Sequence, residues 1–306
     1  MTSFSTTPTV IAIGNQKGGV GKTTTAVNLS AALGVRGNRV LLIDLDPAAG
    51  ATRHLGIDGV EFEGTLELLC GDSELEPLAI IDGMPPGVAL IPARHDLTAL
   101  DQRTPRFTDH AALLRPVVEQ ASCYDYIILD TSPHPADVAT LAAYGGADWF
   151  LLTALPHYLS LAGITEACRD IAEVRAHRNP HLEILGVLLC SVDERATRAL
   201  AEITSLVNEA LPGRFFSTRI TQATAVQRCV ADGRTLLTHP QHCHHPVARQ
   251  FLRLAVEIEQ RVKYRDTFID YCQSCSERGG ENAGFQVSLG SMHASATEQL
   301  RLVRAS

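Results

Sequence analysis

At 306 residues the chain can form one large α/β domain or two small ones, and its 45% hydrophobic content excludes disorder for the bulk of it. A net charge of −8 argues against a protein that coats itself in nucleic acid by charge alone, while leaving room for a local basic patch. Eight scattered cysteines fit reduced thiols rather than a disulfide framework; with no signal-peptide run and no stretch of about 18 apolar residues, a soluble cytoplasmic protein is expected.

Val10–Ile13 is a short β-branched run that predicts a buried strand, and residues 23–35 predict a helix. Between them lies a glycine-dense loop, which is the setting a phosphate-binding loop needs. Lys17, Gly18, Gly19, Val20, Gly21, Lys22, Thr23 and Thr24 are therefore candidate nucleotide-binding residues. The glycines let backbone N–H groups converge on phosphate oxygens, and the helix N-terminus adds positive potential. Lys22 is expected to reach the β- and γ-phosphates and the Thr23 hydroxyl to ligate Mg²⁺. The common pattern is broken at Gln16, which stands where its first glycine belongs. Only three lysines occur in the chain, Lys17, Lys22 and Lys263, and two of them sit in this loop. A solvated turn would not concentrate them there.

A second strand, 40–44, runs into Leu41-Leu42-Ile43-Asp44-Leu45-Asp46-Pro47. Asp44 and Asp46 are two residues apart and share a side of the extended chain, where they can hold Mg²⁺ through water and orient an attacking water. Further strands are expected at 88–91, 126–130, 149–153 and 184–190, with helices at 97–103, 109–121, 136–143, 160–177 and 196–210. The strand at 126–130 ends its apolar run on Asp130, the Walker B arrangement that supports Mg²⁺ beside the loop threonine. The alternation predicts an α/β fold: a doubly wound, mostly parallel sheet with helices on both faces and ligands at the carboxyl ends of its strands. A single domain is expected over 1–265, followed by a poorly ordered tail over 266–306.

Taken together, K-G-G-V-G-K-T-T, L-L-I-D-L-D-P and Y-D-Y-I-I-L-D-T-S-P resemble the ParA/MinD group of P-loop ATPases with a deviant Walker A loop, and the small Soj-like partition ATPases most closely. The resemblance runs from about Thr9 to Lys263. It implies that Lys17 reaches across an ATP-sandwich homodimer to the partner's phosphates, that Lys22 and Thr23 serve in cis, that Asp46 positions the hydrolytic water, and that Asp44 and Asp130 support Mg²⁺. It also implies a slow, partner-stimulated ATPase that binds DNA non-specifically, associates with the nucleoid, and acts in plasmid or chromosome partition with a centromere-binding protein. The alternative is an ATP-dependent dimer switch that docks a protein complex or membrane without DNA. A metabolic relative, such as an amidotransferase or nitrogenase-reductase type, finds no iron–sulfur cysteine pair and no small-molecule site to support it.

Two departures stand out. After Pro47 the family usually continues Gln-Gly-Asn-Ala-Thr, whereas this chain has Ala48-Ala49-Gly50-Ala51-Thr52. Arg195 matches one DNA-contacting arginine of the family, but Ala225 replaces the other, leaving Arg195, Arg198 and Arg219 as the candidate DNA contacts. His239-Pro-Gln-His242-Cys243-His244-His245 and Cys272-x-x-Cys275 contain zinc-ligand types, but their spacing matches no standard site, and a polar turn before a helix at 247–262 is expected. Ala296–Arg304 carries only a weak apolar stripe, so membrane attachment is not expected.

Overall fold

The computed structural model describes residues 7–57, 62–75, 83–104, 109–278 and 285. Six strands, β1 (Thr9–Gly14), β2 (Val40–Leu45), β3 (Val88–Ile91), β4 (Tyr126–Thr131), β5 (Trp149–Ala154) and β6 (Glu183–Leu189), form one sheet in the order β3-β2-β4-β1-β5-β6. Every pairing is parallel. Because successive side chains leave a strand on opposite faces, the apolar runs feed two cores. Val10, Leu41, Ile127 and Phe150 point to one core, and their neighbours Ile11, Leu42, Ile128 and Leu151 point to the other.

The helices divide accordingly. The core beside Ile11 is closed by α1 (Lys22–Val35), α2 (Gly50–His54), α9 (Thr224–Ala231), α10 (Pro246–Lys263) and α11 (Arg265–Glu277). The opposite core is closed by α3 (Thr65–Cys70), α4 (Leu100–Arg103), α5 (Ala111–Gln120), α6 (Val138–Gly146), α7 (Tyr158–His177) and α8 (Thr197–Ala210). The expected doubly wound sheet is thus present, with element ends within a few residues of those predicted. No helix among the described residues is long and apolar enough to cross a membrane.

Three differences from the sequence-based expectation have local causes. The helix expected over 97–103 splits into a 3₁₀ turn at His95–Ala99 and a single α-turn at Leu100–Arg103. Short α2, α3 and α9 were not expected, because each is too brief to display a helical period and is held by tertiary contacts. The poorly ordered tail expected from 266 instead begins with α11, whose Phe268, Cys272 and Cys275 are buried at helical spacing. The Ala296–Arg304 stretch lies outside the described residues.

What recruits α11 is a buried guanidinium. Arg261, 2% exposed, donates to the carbonyls of Leu185 at 2.7 Å and Phe215 at 2.8 Å. Its guanidinium lies over the rings of Phe216 and Phe268, at 3.9 and 4.8 Å from their centroids. Burial pulls its pKa down to about 10, so it keeps its charge at neutral pH. Gly186 leaves room for it beside a bulge in β6, where a Cβ would fall 2.3 Å from Nη1.

His54 closes α2 and is 3% exposed, with Nε2 lacking any partner. Burial pulls its pKa down to about 4, offset in part by a hydrogen bond to the Arg234 backbone. The native state therefore holds a neutral imidazole while the unfolded chain titrates near 6.5. This group adds no pH dependence above 6.5; stability falls as pH drops from 6.5 towards 4, by up to about 3 kcal/mol. In urea unfolding at pH 7.5 and 5.0, wild type should lose about 2 kcal/mol more between the two pH values than His54→Leu. Equal losses would remove His54 as the cause.

Candidate functional site

The parallel register brings the carboxyl ends of β1, β2 and β4 together, with Asp44 paired to Asp130 and Ile13 to Asp130. The glycine loop leaves the sheet at this edge and passes directly into α1, which starts at Lys22 rather than one residue later. Gly19 and Gly21 hold φ of +73° and +92°, left-handed values that cost an L side chain about 1–2 kcal/mol each. A Cβ at Gly21 would also lie 3.0 Å from Cys190 Sγ, whereas Gly18 and Gly19 face open space. The loop thus presents backbone N–H groups and a helix N-terminus, with no acidic residue in the first turn of α1.

Lys22 is 6% exposed, and its Nζ donates to the Lys17 carbonyl at 2.9 Å. Burial lowers its pKa, partly offset by the charges of Asp130 and Asp46. Lys17 is half-buried at the head of the loop, and its backbone N–H donates to Asn15 Oδ1 at 3.0 Å. The ammonium of Lys22 is therefore parked on a carbonyl of the loop itself, and an anion entering the loop offers it a stronger acceptor.

The three carboxylates differ sharply. Asp130 is fully buried, and neither of its oxygens has a hydrogen-bond partner. Burial first, then the charge of Asp44, raises its pKa well above the usual carboxylate range, and the nearby Thr23 hydroxyl offsets only part of this. Asp44 is equally buried but fully engaged: Oδ2 accepts from the Thr52 N–H at 2.9 Å and its hydroxyl at 2.7 Å, and Oδ1 accepts from the Asp46 N–H at 3.2 Å. Its pKa is raised by burial, with the Thr52 bonds opposing. Asp46 is half-buried, and its Oδ1 accepts from the Ala48 N–H at 2.8 Å.

An orphaned buried carboxylate beside a loop hydroxyl fits a hard divalent cation. Among the described residues no three His, Cys, Asp or Glu side chains converge as a metal-binding set, so the protein alone makes no cage. The donor set suits Mg²⁺, which takes one or two protein ligands and fills its remaining positions with phosphate oxygens and water.

The segment that departs from the family pattern closes on this edge. Ala49 adopts φ +52°, ψ +46° at the N-cap of α2, a left-handed conformation that its side chain makes costly. A Cβ at Gly50 would fall 2.9 Å from the Thr23 hydroxyl, so the small residue lets α2 approach the loop closely. Thr52 was not anticipated as a site residue. Its signal, a hydroxyl six residues beyond Asp46, is weak without the fold, yet it also accepts the Ala93 N–H at 2.9 Å and so ties β2, α2 and the end of β3 together.

The arginines expected to meet DNA gather near the start of α8. Arg195 and Arg198 are 91% and 93% exposed at the side chain, paired with Asp193 at 2.9 Å and Glu202 at 3.2 Å. Arg219 lines a cavity of about 670 Å³ with Glu194, Thr197 and Asn208. Two of the three arginines are thus paired with carboxylates, and the third shares a cavity wall with Glu194. Ala225 is 3% exposed in the core beside α1, so this position does not face solvent. Among the histidines, His239 stacks on His242 at 4.4 Å and its Nε2 meets Asp232 at 2.8 Å. Cys272 and Cys275 are buried on α11.

A family model described as an AAA domain matches residues 8–184. The chromosome partitioning protein ParA of Caulobacter vibrioides is 33% identical over 260 residues, covering 84% of this chain and 96% of that protein. The chromosome-partitioning ATPase Soj of Thermus thermophilus is 34% identical over 253 residues, covering 83% and 96%. Among solved structures, the cobyrinic acid a,c-diamide synthase of Mycobacterium smegmatis, with bound ATP analog and magnesium, matches with a TM-score of 0.69 at 28% identity, covering 84% of this chain and 97% of that one. With this glycine loop set among β1, β2 and β4, the chain belongs to the ParA/MinD family of P-loop ATPases.

Proposed function

We propose that this protein is an ATP-dependent dimer switch of the partition type. It binds ATP with Mg²⁺, closes with a second copy into an ATP-sandwich dimer, and holds DNA non-specifically in that state. Slow hydrolysis, accelerated by a centromere-binding or other partner protein, then releases it. The observation that carries this reading is the glycine loop with two lysines: Lys22 buried at the start of α1, and Lys17 at the loop head with its backbone fixed. The chromosome-partitioning roles of the relatives from Caulobacter and Thermus support the biological setting.

In this reading the loop N–H groups and the N-terminus of α1 receive the phosphates. Lys22 leaves the Lys17 carbonyl and contacts the β- and γ-phosphates, regaining the charge stabilisation that burial removes. Thr23 and Asp130 hold Mg²⁺, which when bound neutralises charge developing on the phosphates. Asp44 acts at one remove, since its oxygens already anchor Thr52 and Asp46. Asp46 orients the attacking water. Lys17 adds a positive charge to the partner's phosphates only once two copies meet, which makes hydrolysis conditional on assembly.

A second reading, a dimer switch that docks a protein complex without DNA, is favoured by one observation: Arg195 and Arg198 are already paired with Asp193 and Glu202, and Arg219 lines a cavity that also contains Glu194. Exposed pairs of this kind are worth about 0–1 kcal/mol, so DNA phosphates can displace the carboxylates.

Lys22→Ala should weaken ATP binding by roughly a hundredfold, the worth of a charge-assisted contact of about 3 kcal/mol. Titration with a fluorescent ATP analogue measures it, and unchanged affinity would refute the loop assignment. Lys17→Ala should bind ATP normally but hydrolyse it at background rate and stay monomeric by light scattering, whereas Asp46→Ala should accumulate as an ATP-bound dimer. DNA binding with ATP should fall with a log–log salt slope of about −5 if the three arginines of each copy contact phosphate. An ATP-dependent dimer with no such binding would select the second reading.

A further inference from the structure

Two residues join β1 to the phosphate loop; α7 packs against the first and hydrogen-bonds to the second. Asn15, 3% exposed, donates from Nδ2 to the Thr153 carbonyl at 2.7 Å, and its Oδ1 accepts the Lys17 N–H at 3.0 Å. Gly163 of α7 lies against that same Oδ1, where a Cβ would approach to 2.6 Å and displace it. Seven residues on, two helical turns along the same face, Asp170 Oδ2 accepts from Gln16 Nε2 at 2.5 Å. Ala167, between them, is fully buried. Gln16 is the residue that replaces the usual first glycine of the loop, and a long amide there reaches a fixed acceptor on another element.

This arrangement matters because of what Lys22 does. Its Nζ also steadies the loop head, through the Lys17 carbonyl, and in the proposed mechanism it departs for the phosphates. Asn15 and Gln16 then remain as restraints on the Lys17 backbone, just when its side chain must reach across to a second copy. A misplacement of about 1 Å at such a distance can cost up to about a hundredfold in rate.

We propose that Asp170 is a positioning residue for Lys17, acting through Gln16. The proposal rests on the reading of Lys17 as the residue that completes the partner's site. Asp170 needs only an acceptor oxygen for this, so its charge is dispensable and its hydrogen bond is not.

The test uses the full chain carrying Asp170→Ala, Asp170→Asn, Gln16→Ala, the Asp170→Ala/Gln16→Ala double variant and Lys17→Ala, with ATP affinity and turnover measured separately. Asp170→Ala and Gln16→Ala should each lower turnover about tenfold while ATP affinity stays within about twofold. The double variant should be no worse than either single one, since both break the same contact. Asp170→Asn, which keeps the acceptor, should stay within about threefold of wild type. The proposal is overturned if Asp170→Ala turns over normally, if the two losses multiply, or if Asp170→Asn is as poor as Asp170→Ala. Should Asp170→Ala fail to fold, Gln16→Ala and Asp170→Asn decide: a slow Gln16→Ala beside a near-normal Asp170→Asn supports it, and a normal Gln16→Ala overturns it. Lys17→Ala separates the two levels. Full turnover in that variant sinks the underlying reading and this inference with it, whereas a dead Lys17→Ala beside a normal Asp170→Ala sinks this inference alone.

Discussion

Asp44 and Asp130 sit opposite each other across β2 and β4, both fully buried, and only one of them is satisfied. Two adjacent carboxylates in a low-dielectric interior raise each other's pKa, and an unpaired buried charge is expensive. The chain relieves this unevenly. Thr52 and the Asp46 N–H take up the charge of Asp44, while Asp130 is left for something that enters from the loop side. The edge of the sheet is therefore prepared for a cation that arrives with a phosphate chain, and no three protein side chains among the described residues could hold it alone.

The same relief wires the neighbouring elements together. Asp44 binds Thr52, Thr52 binds the Ala93 N–H, and Thr65 at the start of α3 donates to the Asp44 carbonyl at 2.7 Å. The segment from Asp46 to Gly50 hangs on this network, with Ala49 in a left-handed conformation and Gly50 against Thr23. Strain of this kind persists where the surroundings over-determine a conformation. In place of the two amide side chains of the family pattern stand small residues, and Gly50 lets the segment sit against the loop hydroxyl of Thr23.

Helices far from the loop in the chain serve the site indirectly. Arg261 fills the bulge of β6, donates to its Leu185 carbonyl and to the Phe215 carbonyl beside it, and lies over the Phe268 ring, so α10 and α11 close the core behind α1. On the other face, α7 packs Gly163 against Asn15 and accepts a hydrogen bond from Gln16 at Asp170. The phosphate loop is thus supported from both layers, which is why its glycines can be open to solvent without the loop losing its shape.

Much of this was legible in the amino-acid order. Continuous apolar runs ending in Asp44 and Asp130, and a glycine loop between a strand and a helix, state the parallel sheet and the place of the site, because a strand buried on both faces has no polar alternative. The short α2, α3 and α9 were not legible, since a helix of eight residues or fewer owes its stability to what it touches. Nor was α11, whose composition reads as tail until Arg261 supplies a surface for Phe268. By itself the sequence determined the fold class, the loop and its three acids. Tertiary structure alone decided which acid is left unpaired, that Ala225 faces the core, and that Asp170, 154 residues from Gln16, holds the head of the loop. Those outcomes depend on which elements the parallel crossovers bring side by side, and side-chain partners so far apart in the chain leave no local pattern to read.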